Sequence, residues 1–115
     1  MNFDTPDILD GLQPQAVELE EAVIGAVLLE RPAVTQVIDI LKPEMFYAPK
    51  HQKIWASIER MYEAGDPIDI MTITNELKSR RNGELEFVGG AYCISQLTNR
   101  IASAANIEFH ARIII

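Results

Sequence analysis

Three groups of residues in this chain have types and spacings that could do chemistry. The first is residues 83–92, GELEFVGGAY, where glycines run into a helical pattern. Glycine turns that open a helix present free backbone N–H groups to an anion, phosphate above all. A Walker-type loop, G-x-x-x-x-G-K-[ST], also needs a lysine for the phosphates and a hydroxyl for magnesium. Gly90 is followed by Ala91 and Tyr92, which supply neither. A dinucleotide fingerprint fails as well, because G-x-G-x-x-G after a buried strand is not the spacing found here. The glycines therefore read as a tight turn feeding a helix, which positive φ permits.

The second group is Glu18 and Glu21, three residues apart and so on one helical face, where two carboxylates could hold a cation or share acid–base work. No nucleophile accompanies them, and a solvated acidic turn is the expectation. The third is His51, His110 and Cys93. The two histidines lie far apart in sequence, neither belongs to an H-x-x-x-H or C-x-x-C arrangement, and one cysteine cannot build a structural zinc site. Each His reads as a partly buried, hydrogen-bonded helix residue and Cys93 as a small buried hydrophobe. The expectation is a chain with no catalytic, cofactor-binding or metal site of its own.

Composition points the same way. The 115 residues are 48% hydrophobic and 23% charged, the range of an ordinary single domain with a real core. No apolar run approaches the roughly 18 residues of a membrane helix, no signal peptide is visible, and the lone thiol fits a reducing compartment. The chain reads as soluble and cytoplasmic. Its net charge is −7, and the excess is N-terminal: Asp4, Asp7, Asp10, Glu18, Glu20, Glu21 and Glu30 precede the first base, Arg31, while the remainder balances. The one local basic cluster is Lys78, Arg80 and Arg81, so little direct nucleic-acid binding is expected.

The elements that would position these residues are helical throughout. Residues 1–14 mix acids, Pro and Gly without a sustained period and read as a flexible arm; a helical domain follows over 15–115. A first helix is expected from about Gln15 to Leu29, with Glu18, Glu20 and Glu21 in its early, electropositive turns. Its second half, AVIGAVLL, is apolar on every side, as in a central helix. Ala22, Gly25 and Ala26 on one face let another helix approach closely.

Val34, Val37, Ile38 and Leu41 form the stripe of a second helix, stopped by Pro43. Phe46 and Tyr47 lie between two prolines in an aromatic connector. A third helix, about His51 to Ala64, buries Ile54, Trp55, Ile58, Met61 and Tyr62 and exits at Gly65. Asp69 caps a fourth, with Ile70, Ile73 and Leu77 inward and Asn82-Gly83 as its exit. GELEFVGG reads as an extended linker tucking in Leu85 and Phe87. A fifth helix is expected over about Ala91 to Asn99, and a sixth from Ser103 or Asn106, with Ile107, Ala111 and Ile114 on one face. That sums to an all-α bundle of about six helices. Ile113, Ile114 and Ile115 point about 100° apart, so no single face buries them all. The expected reading is an N-terminal piece of a longer protein, with Ala22, Gly25, Ala26, Ile113, Ile114 and Ile115 as interface residues toward partners.

Several stretches together carry a resemblance: EEAVIGAVLLE; FYAPKHQKIW from Phe46 to Trp55; GDPID from Gly65 to Asp69; VGGAYCISQL from Val88 to Leu97; and SAANIEFHARIII. They resemble the N-terminal domain of the bacterial replicative DNA helicase, the DnaB family, from Pro14 to Ile115. The resemblance implies a hexameric, ATP-driven helicase whose motor lies C-terminal to these residues, with ATP and Mg bound there. This domain would pair into a collar above the motor ring, its last helix leading into a helical hairpin, and would dock primase or the helicase loader. His110 and Ile115 stand where many relatives carry an aromatic and a basic residue, so the primase contact is carried over to no residue here. Without the resemblance, the residues support a helical interaction module, with DNA binding or regulation through Lys78, Arg80 and Arg81 as the rival reading.

Overall fold

Trp55 has no solvent exposure, and the packing of the head is organised around it. The computed structural model describes the backbone of residues 4–80, 82–100 and 106–114 and, within these, the side chains of 17–80, 82–99 and 106–114. Among the described residues the elements are helices and turns, with no strand. Seven α-helices are present: α1 (Asp4–Leu29), α2 (Ala33–Val37), α3 (Pro49–Ala64), α4 (Ile70–Ser79), α5 (Glu84–Phe87), α6 (Gly90–Gln96) and α7 (Ile107–Ile114). Two 3-10 turns, Pro43–Met45 and Leu97–Arg100, complete the order.

Helix α1 begins earlier than its periodicity suggests. The backbone is helical from Asp4 and continues through Pro14, so residues 4–14, expected as an arm, extend the helix. Glu18, Glu20 and Glu21 thus lie in the interior of α1 rather than in its first turns. Val23 through Leu28 are all buried. The helix packs against α7, the Leu97–Arg100 turn, α2 and α3. On the other side α3 and α4 pack together, and α4 carries α5 and α6. Two layers therefore meet along α1 and α3.

The third helix ends as its sequence dictates. Gly65 takes φ 77°, its N–H reaches the Tyr62 carbonyl and the Asp66 N–H reaches the Met61 carbonyl, a Schellman exit. Asp69 caps α4 reciprocally with Thr72: each accepts the other's backbone N–H at 2.8 Å. Ile73 and Leu77 are fully buried beneath it. Tyr62, expected inward, is 40% exposed.

The stretch Glu84–Phe87 is a helical turn and not an extended linker. Phe87 and Val88 donate to the carbonyls of Gly83 and Glu84 at 2.9 and 3.1 Å. In a helix, residues 85 and 87 point about 200° apart, so they cannot both face inward. Leu85 packs on the core with Val88, three residues on, and Phe87 is exposed. Gly89 then turns the chain into α6 at φ 104°, where an added Cβ would lie 2.8 Å from Cys93 Cβ.

A buried carboxylate ties the two layers. Glu20, from α1, is 1% exposed and His51, from α3, fully buried. Glu20 Oε1 lies 2.7 Å from His51 Nδ1 and 3.3 Å from the Ala48 N–H, while Oε2 accepts from the Tyr47 N–H. Ala48 is the N-cap of α3 and has no side-chain cap of its own; Pro49 follows at the first helical position. The carboxyl thus supplies from another helix the acceptor for the N-cap N–H that an N3 Glu or Gln supplies in a capping box, near the positive end of the α3 dipole. Gln52 Nε2 donates to the Phe46 carbonyl at 2.7 Å and Trp55 Nε1 to the Leu41 carbonyl at 3.1 Å, pinning the rest of the connector. Phe46 stacks at a tilt on Trp55, centroids 5.2 Å apart.

Two outcomes follow for equilibrium urea unfolding. Glu20→Ala leaves one buried and one part-buried N–H group and a buried imidazole without their acceptor and is expected to lose roughly 2–4 kcal/mol; a loss below about 1 kcal/mol would show that the clamp is not stabilising. Gly89→Ala combines a strained φ with a clash and is expected to lose roughly 1–3 kcal/mol. Gly90→Ala, also at positive φ but with open space around its Cβ, is expected to lose less; equal losses would remove Cys93 from the explanation.

Candidate functional site: interaction surfaces

The residues singled out for chemistry are dispersed by the fold. Glu18 is exposed and Glu21 half-buried on α1. The carboxylate that matters structurally is their neighbour Glu20, which the search for paired acids passed over. A signal was present: Glu20 stands four residues before Ile24 and seven before Val27, on the buried stripe of the helix. Its partner His51 is the buried, hydrogen-bonded helix residue its sequence context suggests. His110 is half-buried on α7, its ring 6.0 Å from that of Phe109. Cys93 is half-buried rather than fully so, with Lys50 Nζ 3.9 Å from its sulfur. Among the described residues no three His, Cys, Asp or Glu side chains gather into a metal-binding group, and no helix is long and apolar enough to cross a membrane.

The residues expected at an interface divide sharply. Gly25 and Ala26 are buried inside this chain and Ala22 is half-buried. The small-residue face of α1 is thus largely buried inside the chain, and of AVIGAVLL only Leu29 is exposed, at 53%. On α7 the division follows helical geometry. Ile107 and Ala111 are buried, Ile114 is half-buried, and Ile113 is 52% exposed; Ile115 lies outside the described residues. Four residues before Ile113, Phe109 is 67% exposed, so the two form an outward apolar stripe. Sequence reasoning missed Phe109, although the i, i+4 spacing to Ile113 was there to find it.

A second apolar surface lies on the other layer. Between α4 and α6 runs an open groove of about 670 Å³, walled by Ile70, Met71, Ala91 and Tyr92. The basic cluster beside it is partly neutralised. Arg80 Nη2 lies 2.7 Å from Glu76 Oε2, and Arg60 Nε reaches the same oxygen at 3.3 Å. Hydrogen bonding from Arg80 leads the causes that hold the Glu76 carboxyl below its ordinary range, against a raising effect of burial. Arg81 lies outside the described residues. Lys78, in the last turn of α4, makes no ion pair among the described residues and is the cation left to act.

The comparisons with known proteins converge. The family model of the DnaB-like helicase N terminal domain matches residues 12–115. The chain is similar to the replicative DNA helicase DnaB of Rhodothermus marinus, 52% identical over 101 residues, and to that of Geobacillus stearothermophilus, 41% identical over 103 residues. These alignments cover 88% and 90% of this chain but 10% and 22% of the relatives' own lengths. The crystal structure of the N-terminal domain of DnaB helicase from Mycobacterium tuberculosis superposes with a TM-score of 0.79 at 35% identity, covering 85% of this chain and 69% of that one. An all-helical head with the same architecture, matched by a family model over nine-tenths of its length, belongs to the DnaB-like helicase N-terminal domain family.

Proposed function

We propose that this chain serves as the non-catalytic N-terminal collar domain of a hexameric replicative DNA helicase in the cytoplasm. It pairs with other copies to build the ring and offers a docking surface to primase or to the helicase loader. ATP and Mg belong to a motor domain elsewhere in the helicase. The observation that carries this reading is the uncovered stripe of Phe109 and Ile113 on α7. Two large apolar side chains four residues apart on a short helix, with the opposite face buried in the head, have the form of a helix prepared to meet another helix. The dispersal of the chemistry-bearing side chains also supports a role through assembly.

Two measurements test it. Mixed with ATP and forked DNA, the chain alone is expected to give neither hydrolysis nor unwinding, and measurable turnover of either kind would sink the reading. In sedimentation across a concentration series, Phe109→Asp combined with Ile113→Asp is expected to weaken self-association at least about tenfold. Both side chains are more than half exposed, so the melting temperature is expected to change little. Unchanged association would place the interface elsewhere. A steep salt dependence in a titration with duplex DNA would favour the rival DNA-binding module.

A further inference from the structure

Asn82 and Gly83 lie between α4 and α5, both are exposed, and neither has a part in the reading just given. Asparagine is a thermolabile residue, because the backbone nitrogen of the next residue can attack its side-chain amide carbon. A side chain on that next residue obstructs the approach, and glycine has none. The chain holds five asparagines, and Asn2, Asn75, Asn99 and Asn106 are followed by Phe3, Glu76, Arg100 and Ile107. Only Asn82 precedes a glycine.

The fold adds two features that favour the attack. The Gly83 carbonyl accepts from the Phe87 N–H at 2.9 Å, but the Gly83 N–H itself donates to no acceptor among the described residues. Glu86 stands beside it: a Cβ added at Gly83 would lie 3.7 Å from Glu86 Oε1. Three residues is also the separation at which a side-chain carboxylate reaches back to a backbone N–H. Glu86 is exposed and makes no ion pair among the described residues.

We propose that Asn82 is a site of spontaneous, one-way modification in which Glu86 acts as general base. The Glu86 carboxylate takes the Gly83 N–H proton as that nitrogen bonds to Asn82 Cγ. The Cγ–Nδ2 bond then breaks, and the proton passes to the departing nitrogen, which leaves as ammonia. Water opens the remaining succinimide at either of its two carbonyls. One opening gives aspartate; the other gives isoaspartate, in which the main chain runs through the former side chain. Both products set a carboxylate next to Lys78, Arg80 and Arg81, the one local basic cluster, and take the net charge one unit below −7. Isoaspartate also adds a methylene to the main chain where α5 joins α4. Val88 is fully buried and Leu85 packs on the core, so α5 stays anchored beyond the altered turn while the basic corner of the head is neutralised with age.

Peptide mass spectrometry during incubation of the full chain in mildly alkaline buffer tests this. Asn82 is expected to convert several-fold faster than Asn75 or Asn99 and to yield both aspartate and isoaspartate. Glu86→Gln is expected to slow the conversion at least about threefold, with the melting temperature unchanged. In guanidinium chloride, which releases Glu86 from its place beside Gly83, the chain and the variant are expected to convert at rates much closer together. Conversion no faster at Asn82 than at Asn75 and Asn99, or aspartate formed without isoaspartate, would overturn the proposal. So would a rate that Glu86→Gln leaves unaltered, or an effect of that variant undiminished in denaturant.

Discussion

Glu20 reaches across from α1 to hold the chain that leads into α3. Ala48 and Pro49 open α3 without a side-chain acceptor, and the turn before them leaves the Ala48 N–H buried and the Tyr47 N–H part-buried, both turned toward α1. Buried N–H groups without an acceptor cost about 1–3 kcal/mol each, so the start of α3 depends on an oxygen arriving from outside it. The carboxylate meets that need and takes His51 as a third partner, one turn into the helix. Trp55, one turn further, is held by the Leu41 carbonyl and by Phe46. The connector 42–48 is thereby fixed from both ends, although it contains only one short 3-10 turn.

That clamp lies on the seam between the layers. On one side α1, α2, α7 and the Leu97–Arg100 turn pack together; on the other, α3 carries α4, and α4 carries α5 and α6. The stripe of Phe109 and Ile113 belongs to the first layer and the α4–α6 groove to the second. Each surface is shaped locally, by helical spacing on α7 and by the gap between two short helices in the groove. Their relative placement follows from how α1 and α3 are joined.

Much of this was legible in the sequence because its causes are local. Gly65, Asp69 and the i, i+3, i+4 stripes of α3, α4 and α7 act within one or two turns, and their elements appear close to where those signals place them; α2 ends at Val37, short of Pro43. What escaped reading depends on contacts distant in the chain or on a choice between two periods. Leu85 and Phe87 alternate as a strand would, but four residues cannot make a sheet, and the carbonyls of Gly83 and Glu84 were available to close a helical turn instead. The small face at Gly25 and Ala26 suggested a partner surface, and both residues are buried within this chain. Glu20 was counted among the acids of a helix start, a reading that failed because α1 begins upstream and because the N–H groups it serves lie 27 and 28 residues away.

Why a polar group holds this position, when an apolar one would bury more simply, follows from what each can specify. Replacing both partners of a buried polar contact by apolar groups of the same shape is often neutral or stabilising, so stability alone does not explain the pair. Apolar contacts between helices are non-directional, and the i and i+4 rows of α1 and α3 would also mesh one turn, about 5.4 Å, out of place. A carboxylate that must accept from two particular N–H groups and one imidazole nitrogen has one acceptable position. Sliding α1 by a turn would leave a buried carboxyl without its partners and orphan two donors together. The pair therefore sets register, and through register the angle between the α7 stripe and the α4–α6 groove. In a domain that acts by being built into an assembly, that angle determines where its neighbours stand.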